Sequence, residues 1–155
     1  MYFKDLTTYK YMDKEEAFNV GWLQKGHSFH AGEVSEEFIE KLWHYLRYPV
    51  KVCRGFHACD FCKNTKTGVP TVMFKGEKRE VGYYEIRVWG QDEKVYAAPS
   101  LIIHYILQHH YKPPQEFIDA VIHSNAHSKE YYQKILAYSK GYDFWLSQDR
   151  TKVRN

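Results

Sequence analysis

The sequence predicts an α+β fold: a small antiparallel sheet of about three strands packed with roughly four helices. Three observations predict it. Residues 82–90, GYYEIRVWG, alternate Tyr84, Ile86 and Val88 on one side with Tyr83, Glu85, Arg87 and Trp89 on the other, the two-residue period of a strand. Residues 35–46 and most of the chain after Pro99 instead repeat apolar side chains at helical spacing. The order of one helix, then strands, then helices lacks the strand–helix alternation of a doubly wound sheet. With 155 residues, 44% hydrophobic and 17% aromatic, the chain has material for one domain with a real core, read as residues 1–155.

Residues 1–20 are polar and Tyr-rich without periodicity and read as an irregular lead-in. Gly21, Gly26 and Gly32 mark the next stretch as loop or short extended chain. Ser35 is a helix N-cap, with Glu36 and Glu37 in the first turn, where the helix dipole favours acids. Phe38, Ile39, Leu42, Trp43 and Leu46 form the apolar stripe of that helix, and Pro49 ends it. The short β-leaning VKVC (50–53) leads into a cysteine-rich stretch. Beyond the turn NTKTG, VPTVMF (69–74) reads as a strand, KGEKRE as a polar turn, and GYYEIRVWG as the partner strand of a hairpin. KVYA (94–97) adds a third strand.

Pro99 fits the first turn of a helix carrying Leu101, Ile102, Tyr105 and Ile106. Pro113-Pro114 breaks it and opens QEFIDAVIHS, whose apolar residues are Phe117, Ile118, Val121 and Ile122. Ser128 caps KEYYQKILAYSK, and Gly141 stands where a C-terminal cap belongs. YDFWL is expected to dock on the body, with 148–155 a frayed tail.

Charge narrows the function classes. The net charge of +3 comes from Lys and Arg interspersed with acids, the pattern of a solvated surface and not of a nucleic-acid patch. The start of the chain shows no signal peptide, and LIIHYIL is too short to span a bilayer, so a soluble cytoplasmic protein without membrane contact is expected. There is no glycine-rich phosphate loop, no paired-carboxylate nuclease motif and no Gly-x-Ser-x-Gly elbow. The zinc-deaminase pattern fails as well, because no Glu stands two residues after His57.

All three cysteines lie with a histidine in CRGFHACDFC (53–62). Cys59-x-x-Cys62 has the spacing of a zinc knuckle, in which one tight turn offers two thiolates to an ion. His57 is a third candidate ligand, and Cys53 or a histidine from the helical half would complete a set of four. Two other readings stay open: small buried thiols, and a redox or nucleophilic pair. The redox pair lacks the βαβ unit it needs, and a disulfide framework does not suit a reducing compartment.

His104 lies within the apolar helix and His109 at its C-terminus; singly, each reads as a core or capping histidine before a ligand. Glu85 and Arg87, flanked by Tyr83 and Trp89, are either a solvent-facing ion pair or the wall of a polar pocket. Arg54 and His57 beside the cysteine turn would suit an anionic ligand there, including a nucleotide.

The blocks RGFHACDFC, GYYEIRV and YAAPSLIIHYILQHHYKPPQEFIDAV together resemble a family of small bacterial proteins carrying a domain-of-unknown-function label. The resemblance covers about the middle two thirds of the chain. It implies that Arg54, His57, Cys59, Cys62, Glu85, Arg87, His104 and His109 belong together, and it leaves Cys53 outside the pattern. It implies no activity. Joined to the local reading, it gives a Cys2His2-type site in which His57, Cys59 and Cys62 meet His104 or His109, with zinc as the ion. Two functions are expected in competition. One is a binding or inhibitory module, immunity-like or anti-defence-like, that presents a surface to a protein partner. The other is an enzyme or small-ligand binder with an Arg/His/Glu pocket for an anion.

Overall fold

The computed structural model describes residues 1–11, 16–63 and 68–138. Among them are four helices and two small sheets, an α+β arrangement. The elements run β1 (Phe18–Asn19), α1 (Glu36–Tyr45), β2 (Thr71–Phe74), β3 (Glu77–Glu80), β4 (Glu85–Trp89), β5 (Val95–Pro99), α2 (Ile102–His109), α3 (Gln115–His123) and α4 (Lys129–Tyr138). None of these helices is long and apolar enough to cross a membrane.

The helices start where side-chain chemistry starts them. Ser35 Oγ accepts a hydrogen bond from the Phe38 N–H at 3.1 Å, and Ser128 Oγ accepts one from Tyr131 N–H at 3.0 Å. Both satisfy amides that have no partner inside their own helix. Pro113-Pro114 separates α2 from α3 as expected. Gly141, the YDFWL segment and the expected tail lie outside the described residues.

Strand pairing departs from the expected order. The hairpin is β2 with β3, turned by Lys75 (φ 47°) and Gly76 (φ 81°), so EKRE is strand rather than turn. A two-residue hairpin turn of the primed types needs positive φ, which glycine supplies at least strain. GYYEIRVWG pairs instead with the following strand: β4 and β5 are antiparallel from Glu85↔Pro99 to Trp89↔Val95. Pro99 therefore ends a strand and does not open α2. The lead-in is also structured, because Phe18–Asn19 pairs parallel with Tyr96–Ala97 at the outer side of β5.

The three-stranded sheet, ordered β1-β5-β4, is covered by helices. Phe117 of α3 sits edge-on to Phe38 of α1 at 6.3 Å and to Tyr96 of β5 at 5.8 Å. As a result β4 is buried on both faces from Glu85 to Val88. Glu85 (4% exposed) and Arg87 (0%) are in the core, which corrects the expectation of a solvent-facing pair or an open pocket wall for Arg87.

Candidate metal centre and the cleft beside it

Residues 53–62 are laid against the start of β4 by backbone bonds. Cys53 N–H donates to Tyr83 C=O and His57 N–H to Gly82 C=O, both at 2.7 Å. Gly82 has φ +93°, and a Cβ there would stand 2.5 Å from the His57 carbonyl oxygen. Only glycine allows this approach. The chain then turns inward, and Cys59 joins the hydrophobic core at 7% exposure.

There the turn meets α2, at His104 in its first turn and His109 at its last residue. Cys59, Cys62, His104 and His109 place their four ligand atoms within 4.8 Å of one another. Cys59 Sγ lies 3.3 Å from His109 Nε2; Cys62 Sγ lies 3.3 Å from His104 Nε2 and 3.4 Å from His109 Nε2. A tetrahedral zinc with ordinary bond lengths holds its sulfur and nitrogen ligands about 3.5 Å apart, so the donors already stand at coordination spacing. Both histidines take part, where the sequence left one or the other. His57 is not in the set. It is exposed, and its backbone is tied to Gly82 two residues before the chain turns towards α2.

The electrostatics suit a cation. Burial, and then the neighbouring imidazole of His109, hold His104 below the usual histidine range; burial and then His110 do the same to His109. Both rings are thereby kept neutral, the form that binds a metal. Burial pushes the Cys59 thiol up to about 11, against the opposing pull of hydrogen bonds from the Phe61 and Cys62 backbone N–H groups. Those amides already point at the sulfur, as in a knuckle turn, and a bound cation supplies the charge a thiolate needs. Phe61 packs on the site, with ring centroids 5.5 Å from His109, 6.0 Å from Tyr105 and 5.4 Å from Phe29.

The other expected site residues do not gather in one pocket. Arg54 is exposed on the loop. Arg87 Nη1 pairs with Glu85 Oε1 at 3.0 Å, and Arg87 Nε donates to Tyr138 Oη at 2.7 Å. The guanidinium lies 4.7 Å from the Tyr9 ring and 5.1 Å from the Tyr138 ring, while Tyr9 Oη donates to Glu85 Oε2 at 3.0 Å. Trp89 packs edge-on against Tyr131 and Tyr138 and lines a separate groove with Lys134. Tyr83, Glu85 and His57 do share a partly enclosed cleft beside the metal turn, joined by Tyr11, Lys51 and Tyr105. Lys51 and Tyr11 carried no signal in the sequence: one stands in a β-leaning VKVC and the other in the irregular lead-in.

Four donors of two chemistries on a buried turn and a helix define an α+β domain with a Cys2His2 metal-site geometry. A family model described as a domain of unknown function (DUF7919) matches residues 1–122, and the chain belongs to that family. The match reaches the N-terminus, further than the blocks that suggested it. No curated protein and no solved structure matches the chain.

Proposed function

We propose that this chain is a small zinc-stabilised binding module of bacterial type. The observation that carries the reading is the convergence of Cys59, Cys62, His104 and His109 within 4.8 Å. Two thiolates and two imidazoles in a tetrahedral set suit zinc, and protein ligands at every position leave none for substrate. The ion is structural: it pins the 53–62 loop to α2. A reducing compartment such as the cytoplasm keeps these thiols available, consistent with three free cysteines. Elemental analysis of protein purified without added metal tests the reading. About one zinc per chain is expected for a closed four-ligand site. A ratio near zero in a normally folded protein overturns it.

What the module binds is read in two ways. An immunity-like or anti-defence-like protein contact is supported by large apolar side chains left in solvent on the loop and the hairpin: Phe56 (43% exposed), Val69 and Met73 (61%). Co-expression with the products of flanking genes would detect such a complex. If Met73→Asp and Phe56→Asp leave an observed complex intact, this surface is not the interface. The second reading, a small anionic ligand, is supported by the cleft that His57, Tyr83 and Glu85 line next to the metal turn.

A further inference from the structure

Two nitrogens in one corner of the molecule, Arg79 Nε and His44 Nδ1, are buried without a hydrogen-bond partner among the described residues. A buried polar atom left unpaired costs free energy, so native structures keep few of them, and those that remain commonly mark a water or an ion. Both atoms belong to a basic cluster where the β2–β3 hairpin lies against the end of α1. Arg79 comes from β3; its guanidinium lies over the Trp43 ring at 4.9 Å, and its side chain is 16% exposed. Arg47 stands one helical turn after Trp43. Arg79 Nη2 and Arg47 Nη2 are 3.3 and 4.0 Å from the same atom, Glu77 Oε2. His44 packs edge-to-face on His127 with ring centroids 4.4 Å apart, within reach of the charges of both arginines.

The C-terminal end of a helix favours cations, which accounts for His44 and Arg47 one at a time. It does not account for Arg79, which β3 brings against them. Positive charge is crowded there. Burial and then Arg47 push the Arg79 guanidinium down. Burial, then His127, Arg47 and Arg79, hold His44 below the usual histidine range against the pull of Glu77, and burial and then Arg47 do so for His127. Glu77 is the one carboxylate in ion-pair contact with the cluster among the described residues. Its contacts are long beside the roughly 2.7–2.9 Å of a strong charge-assisted bond. Its Oε2 also accepts from Trp43 Nε1 at 2.9 Å, and its side chain is 55% exposed. Each guanidinium therefore spends one nitrogen on a shared oxygen and leaves most of its donor fork unused.

We propose that this corner binds a phosphate group, its oxygens on the forks of Arg47 and Arg79 beside the His44–His127 pair, with Glu77 as the carboxylate it displaces. Two planar forks and adjacent imidazoles suit a tetrahedral dianion with several acceptor oxygens, whereas a carboxylate fills a single fork. The site uses no residue of the Cys/His cluster or of the cleft beside it, so it stands apart from both readings above.

Inorganic phosphate is the probe, titrated into the full chain by calorimetry at ionic strength held constant with sodium chloride. It should bind saturably at one site. Binding should also raise the pKa values of His44 and His127, followed by the NMR shifts of their ring protons, because a dianion offsets the arginine charge that, after burial, lowers them. Arg47→Gln should weaken binding about tenfold or more, the loss expected for charge-assisted hydrogen bonds. Arg79→Lys keeps the charge and drops the fork; it should weaken binding as well, and serves if the glutamine variant folds poorly. Glu77→Gln should bind more tightly than wild type, since the competing charge is gone. Methyl phosphate separates the sources of the group: affinity like that of inorganic phosphate assigns the site to phosphate esters, and binding of inorganic phosphate alone assigns it to the free ion. No saturable binding, unmoved histidine pKa values, wild-type affinity in both arginine variants, or weaker binding in Glu77→Gln would overturn the proposal.

Discussion

Serine in place of Cys62 would keep the shape of the turn but offer a soft cation a poor ligand. Zinc content should fall from about one equivalent towards none, and a variant that keeps its full complement would remove Cys62 from the set. Cys53→Ser is the control and should retain its metal, because Cys53 Sγ lies 3.5 Å from the Lys51 carbonyl oxygen and outside the cluster. The two histidines set a pH dependence. Their folded pKa values are depressed below 6.5. The stability each contributes is complete above that value and is lost as pH falls through the folded one. Protons also compete with the ion, so zinc loss to a weak chelator should quicken below about pH 6.5 and be flat from about 7 to 8. Acceleration on the alkaline side instead would assign the control to another group. Arg87→Ala leaves the Glu85 carboxylate buried with Tyr9, and should cost about 3 to 5 kcal/mol in denaturant unfolding. A cost below about 1 kcal/mol is what an exposed pair shows, and would contradict the buried one.

The 53–62 loop has no regular structure of its own, and its order comes from three anchors. Two are the backbone bonds to Tyr83 and Gly82, and the third is the cluster with α2. If zinc holds the cluster as proposed, removing it releases the third. Arg54 is exposed on that loop and is a natural trypsin site. Limited digestion should therefore cut at Arg54 markedly faster after chelation, seen as a new fragment pair by mass spectrometry. An unchanged rate would mean that the loop does not depend on the metal. The remaining elements lean on one another: Tyr131 of α4 donates to the Arg87 carbonyl oxygen at 3.0 Å, and Tyr138 accepts from its guanidinium. The buried ion pair of β4 is thus partly solvated by a helix that begins more than forty residues later, and this is why it survives in the core.

At the scale of the whole molecule, the Cys/His cluster, with Cys59 buried and the other three half-buried, lies at one margin of a core that includes Phe38, Leu42, Ile86, Ile102, Phe117 and Val121. Chelation should lower the melting temperature while far-UV circular dichroism stays near that of the loaded protein, unlike a small zinc finger that unfolds without its ion. Collapse of the helical signal would show that the ion is needed for the fold. Much of this architecture was legible before any coordinates. Helix starts at Ser35 and Ser128 and the break at Pro113-Pro114 follow from short-range rules of capping and ring geometry, and those rules operate within one turn of chain. The knuckle pair Cys59-x-x-Cys62 was legible for the same reason. Strand partners were not, because VPTVMF fits GYYEIRV as well as EKRE by pattern, and the Lys75-Gly76 turn decides between them. Nor could spacing choose between His104 and His109, which stand about 140° apart around an ideal helix. Only the seating of the cysteine turn along α2 brings both rings to one point. The alternation in β4 put Glu85 and Arg87 on one face, but whether water or protein covers that face depends on Tyr9 and α4. Periodicity and local spacing therefore determined the helices, the strands β2, β4 and β5 and half of the ligand set, whereas contacts between distant segments decided β1, the β2–β3 pairing, the burial of the ion pair, the second half of the site and the cleft beside it.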